Sequence, residues 1–83
     1  MIEYDVLKLI ECGYSFSYIA KLMSGNYNPD TLIPEKKILL KLFKKKHSFK
    51  LIGEPLGITD KEVKRWFKYH DLPTTLKEMK KII

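Results

Sequence analysis

One cysteine, one arginine and one tryptophan occur in 83 residues, and the apolar runs stop after a few residues, as at Ile38-Leu39-Leu40. A lone Cys12 makes no internal disulfide, and without a cue for a lowered pKa it reads as a buried structural thiol in a reducing setting. No charged segment followed by an apolar run and a small-residue cleavage site opens the sequence, and about 20 apolar residues are needed to cross a bilayer. The expected location is therefore cytoplasmic, either nucleoid-associated or in a host cytoplasm, with no membrane partner. Glycine-rich phosphate loops and nucleophile elbows are missing, and Glu3, Asp5, Glu11 and Glu54 form no paired-carboxylate motif. His47 and His70 lack Cys or carboxylate companions at metal-ligand spacing, so they read as surface or capping residues. Neither an enzyme, a cofactor nor a metal site is expected.

What remains is apolar and basic. Hydrophobic residues make up 45% and charged residues 31%, enough apolar surface for one small folded domain spanning 1–83. The formal charge of +6 favours an acidic partner, nucleic acid being the commonest. All but one of the sixteen cationic residues are lysine, whose compact ammonium neutralises phosphate without forked geometry, which singles out Arg65.

Apolar spacing places helices along the whole chain and strands nowhere, so the fold class is all-α, with about five helices. Val6, Leu9 and Ile10 mark a helix within residues 3–12 that stops at Gly13. Ser15 caps a second, whose inward face is expected to be Phe16, Ile19, Ala20 and Met23, completing a helical hairpin over residues 1–30. The turn formers between Gly25 and Pro34 make a connector, with Thr31-Leu32-Ile33 able to form one helical turn. Pro34 suits the first position of a third helix reaching Lys46, with Ile38, Leu39, Leu42 and Phe43 inward and lysines outward. Thr59 and Glu62 form a capping-box signature for a helix carrying Val63, Trp66 and Phe67 inward and ending near Tyr69, before Leu72-Pro73. Thr75 and Glu78 repeat that signature for a short C-terminal helix or tail over 74–83, with Leu76, Met79 and Ile83 in one stripe. Trp66, Phe67 and Phe43 are expected in the core; Tyr14, Tyr18, Tyr27 and Tyr69 are undecided.

A shift of 33 residues lays Leu7-Lys8-Leu9 on Leu40-Lys41-Leu42, Ser15-Phe16 on Ser48-Phe49, and Ile19 on Ile52. The echo covers two helices and ends where Asp30 meets Val63. It fits a duplication, or equally the general likeness of any two amphipathic helix pairs.

Residues 48–69 hold the pattern with functional content. Two crossing helices need a residue with almost no side chain where they touch, and Gly53 fills that place after Ile52. Four residues on, Gly57 permits a left-handed turn between the core residues Leu56 and Ile58, and Val63 and Trp66 anchor the helix that follows. Ile52-Gly53, Leu56-Gly57-Ile58, Val63 and Trp66, with residues 35–73 around them, resemble the helix-turn-helix superfamily of the trihelical, homeodomain-like type. Small regulators and mobile-element or phage DNA-binding proteins belong to that superfamily. Two departures stand out: such proteins usually carry alanine where Gly53 stands, and no proline inside the helix that holds Pro55. A proline lacks the donor for the carbonyl four residues back, so Gly53-Glu54-Pro55 should bend or tighten.

The resemblance implies a trihelical unit over 34–73 with a recognition helix in the major groove of double-stranded DNA. Thr59, Lys61, Lys64 and Arg65 would then contact bases, with Arg65 forking onto guanine O6 and N7. Lys44, Lys45, Lys46, His47, Lys50 and Lys68 would contact the phosphate backbone. The expected function is sequence-specific binding as a transcriptional regulator, a repressor before an activator, in a homodimer that reads two half-sites. A recombination or packaging accessory, or a protein-interaction module or inhibitor docking on a host protein partner, are the alternative uses of the same fold.

Overall fold

In a computed structural model the described residues are 4–82, and they form six α-helices, one more than the sequence count. They are α1 (Val6–Cys12), α2 (Phe16–Met23), α3 (Lys36–Lys46), α4 (Phe49–Gly53), α5 (Asp60–Tyr69) and α6 (Leu76–Ile82), with a 3-10 turn, Glu54–Leu56, after α4. No strand occurs among the described residues, and no helix there is long and apolar enough to cross a membrane.

Local chemistry sets most boundaries. Asp5 and Ser15 accept from the N–H groups of Lys8 and Tyr18, and Ser48 and Thr75 do the same for Leu51 and Glu78, each covering an orphan donor of a first turn. Gly13 (φ 111°) ends α1 in a left-handed turn closed by Gly13 N–H to Ile10 O and Tyr14 N–H to Leu9 O. Asp71 (φ 57°) ends α5 in the same way, with Asp71 N–H on Lys68 O and Leu72 N–H on Phe67 O. Three boundary expectations need correction. The third helix starts at Lys36 rather than Pro34, because the Pro34 carbonyl is engaged by His70 Nε2 at 2.8 Å; a carbonyl only accepts, so Nε2 carries the hydrogen. Thr31-Leu32-Ile33 is not helical: Asn28 accepts from Asp30 and Thr31 N–H instead and folds an Asx turn. Thr59 is the N-cap of α5, yet its side chain makes no cap hydrogen bond.

The core is one cluster built on Leu39, Leu42 and Phe43 of α3, Phe49 and Ile52 of α4, and Val63, Trp66 and Phe67 of α5, all 4% exposed or less. Phe43, Phe49 and Phe67 pack with ring centroids 4.9 to 6.2 Å apart, tilted or edge-to-face as ring quadrupoles prefer. The hairpin adds Leu9, Cys12, Tyr14, Tyr18, Ile19 and Leu22. The expected face of α2 is thereby overturned: Phe16 is 74% and Met23 55% exposed and Ala20 is outside, and only Ile19 of the four points inward. Ile10 is likewise mostly outward at 38%. The tyrosines turn α2 over, because their rings fill the interior while each hydroxyl reaches a backbone carbonyl, Tyr14 to Ile52 at 2.6 Å and Tyr18 to Leu32 at 2.7 Å. Met79 alone anchors α6; Leu76 is 45% exposed, and Ile83 lies outside the described residues.

Burial raises the pKa of the Tyr14 and Tyr18 hydroxyls well above the ordinary tyrosine value, and the neighbouring phenols add to it. A folded-state pKa above the unfolded one means full stability below about pH 10 and a loss as pH rises beyond it. Urea unfolding midpoints should therefore fall between pH 8 and pH 11. Tyrosinate absorbance should show Tyr14 and Tyr18 ionising only as the protein unfolds.

Candidate nucleic-acid interface

Two glycines set how α5 is presented. A Cβ on Gly53 would stand 2.8 Å from Val63 Cγ2 and 2.9 Å from both Ile58 Cγ1 and Ile58 O, so α4 and α5 cross closer than alanine permits. Pro55 tightens the chain as its missing donor requires: α4 ends at Gly53, and Glu54–Leu56 continues as a 3-10 turn. Gly57 (φ 70°) then reverses the backbone in the left-handed region, with Leu56 buried and Ile58 half-buried. The sequence expectation for this crossing holds at Gly53, Pro55, Leu56 and Gly57, while Ile58, expected in the core, is only half-buried.

With Val63, Trp66 and Phe67 inward, the outward side of α5 presents Lys61, Arg65 and Lys68, all exposed and spaced as one row along the helix. Arg65 lies 3.9 Å from the Asp30 carboxylate with both side chains more than 60% exposed, a contact weak enough to leave the guanidinium free for another acceptor. Lys64 belongs to the flank: its ammonium lies 3.5 Å from Asp60 and 5.7 Å from the centre of the Phe49 ring. Beside it, Ser48, Lys50, Asp60, Lys64, Thr74 and Thr75 line a recess of about 410 Å³. Thr59 is exposed and shares a second recess with Lys50 and Asp60.

The α3 lysines divide. Lys44 is exposed, and His47 is the left-handed C-cap of α3 (φ 54°), its ring edge-on to Phe43. Lys45 donates to the Glu11 carbonyl of α1 at 3.1 Å. Lys46 lines a recess of about 210 Å³ with Lys8, Glu11, Leu51 and Glu54, none of which is on α5. The row on α5 and the flank with Lys50 are thus brought together, while Lys45 and Lys46 are committed to the hairpin side.

Sequence reasoning missed the connector. Trp66 Nε1 donates to the buried Pro29 carbonyl at 3.0 Å, setting residues 28–30 against α5 and Asp30 beside Arg65. Asn28-Pro29 signals a turn, but nothing local ties it to a helix more than thirty residues away. The 33-residue echo holds at the start of its second helix, since Ser15 and Ser48 are both N-caps and Phe16–Met23 lies on Phe49–Leu56, but not in its first, where Val6–Cys12 falls inside the longer Lys36–Lys46; it also fails in facing, because Phe16 and Met23 are exposed where Phe49 and Leu56 are buried. Where a third helix would follow in the first half, the Asn28 turn stands instead.

Cys12 is buried, and desolvation pushes its thiol pKa up in spite of the nearby Lys46 charge, which suits packing and not nucleophilic chemistry. No family model matches this chain, and neither does any curated protein or solved structure.

Proposed function

We propose that the chain binds double-stranded DNA through α5 and acts as a transcriptional regulator, occupying an operator as a repressor. One observation carries the reading: a helix whose inner face is locked into the core by a sub-alanine crossing presents Lys61, Arg65 and Lys68 in an exposed outward row, with only the weak Asp30 contact beside Arg65. Such a helix meets the demand of major-groove reading, which is a rigid seat and polar side chains of sufficient reach. Arg65, with its planar fork, is assigned to guanine, Lys61 and Thr59 to neighbouring base edges, and Lys50, Lys64 and Lys68 to flanking phosphates. Lys44 and His47 extend the phosphate contacts; Lys45 and Lys46 contribute charge from a more distant face.

Selection from a random duplex library, run on wild type and Arg65→Ala together, tests this assignment. A defined motif is expected, with Arg65→Ala losing about 1–3 kcal/mol and its preference at one G·C pair. Lys50→Ala should leave the motif unchanged while lowering the slope of log affinity against log salt by about 1. Recovery of no motif at moderate salt would overturn the proposal.

A further inference from the structure

The stripe of α2 that the sequence assigned to the core stands in solvent. Phe16 is 74% exposed, Met23 55%, and Ala20 between them is exposed as well. Spaced four and three residues apart, these side chains share one face of the helix. At about 100° per residue that face lies roughly 140–160° around α2 from Tyr18, the residue whose ring meets Trp66 of α5 edge-on at 6.4 Å. The stripe therefore looks away from the α5 row.

Charge selects what can cover it. Residues 35–83 hold fourteen of the sixteen cationic and six of the ten acidic residues, a net of +8, leaving −2 for residues 1–34. Two copies approaching by their basic halves, at +8 each, repel strongly, whereas two hairpins at −2 each repel far less. The stripe is also self-complementary. In an antiparallel pair of α2 helices centred close to Ala20, the small side chain lets the helices approach, and each Phe16 falls beside the partner's Met23, a thioether against a ring.

We infer that Phe16, Ala20 and Met23 form the contact of a two-fold dimer of this chain, with α2 packed antiparallel on its copy. The inference does not rest on the DNA reading. Sedimentation equilibrium tests it over a concentration series from micromolar to millimolar. Wild type should pass from 9.8 kDa to twice that mass. Phe16→Ser and Met23→Ser should each weaken association by about tenfold or more. Both sites are exposed, so at low micromolar concentration, where monomer predominates, circular dichroism and the urea midpoint should match wild type and separate lost association from lost folding. Ala20→Cys should form a covalent dimer on mild oxidation, because it lies near the axis while Cys12 is buried. A wild type that stays monomeric throughout, or a dimer that survives both serine variants, overturns the inference. A dimer dissolved by salt also overturns it, since that behaviour marks contact between an acidic hairpin and a basic half.

Discussion

Gly53→Ala is expected to destabilise the protein by about 2 kcal/mol, within the range of about 1–3 kcal/mol that overpacking costs in a filled core. The sign needs argument, because alanine is better than glycine inside a helix by about 0.8–1.0 kcal/mol. Here the added methyl has three neighbours below 3.0 Å, and one of them, Ile58 O, is backbone with no rotamer to change, in the residue whose N–H donates to the Gly53 carbonyl at 3.2 Å. Relief therefore requires α5 to shift away from α4, which loosens Val63 as well. Gly57→Ala is the matching control: its Cβ would meet nothing within 4 Å, so its cost is only that of a left-handed φ of 70°, about 1–2 kcal/mol. Urea unfolding at constant m measures both. A Gly53→Ala protein as stable as wild type would show that the crossing relaxes without loss and would remove the rigid seat from the argument about α5.

Trp66→Ala should be the most damaging single substitution, at about 3–5 kcal/mol for truncating a buried aromatic side chain. A domain of this size has only about 5 kcal/mol or somewhat more in total, so the variant is expected to be largely unfolded by circular dichroism. Trp66→Phe separates packing from hydrogen bonding, since it keeps most of the ring and leaves the Pro29 carbonyl without its donor. An abandoned buried acceptor costs about 1–3 kcal/mol, so this variant should fold with a lowered midpoint. As the only tryptophan, Trp66 also gives wild type a single fluorophore whose emission reports on the contact between α5 and the connector. Trp66→Phe with an unchanged midpoint would mean that the connector contributes little to holding α5.

Both effects show where the sequence was legible. The span of α5, the core role of Trp66, the small residue at Gly53 and the break at Pro55 all follow from local rules: apolar spacing, backbone freedom and a missing donor. The facing of α2 did not follow, because hydrophobicity ranks Phe16 and Met23 above tyrosine. The structure chose Tyr14 and Tyr18, whose hydroxyls find the carbonyls of Ile52 and Leu32. Those acceptors sit 38 and 14 residues away, beyond any periodicity argument. The same limit explains Asp30 beside Arg65: the Asn28 turn is local, but its docking on α5 depends on where the indole N–H points. The outward row on α5 was legible in part, and the split of the lysine run between faces was not, since only the packed hairpin gives Lys45 an acceptor.

The connector draws its backbone partners from both directions along the chain. Tyr18 reaches Leu32 from the preceding helix, while Trp66 reaches Pro29 and His70 reaches Pro34 from a helix not yet synthesised when the connector emerges. The hairpin and the half built from α3, α4 and α5 are consequently tied to each other through the backbone of this one segment. Cutting between them would leave each fragment with a carbonyl shaped for a donor on the other, Pro29 O on one side and Ile52 O on the other.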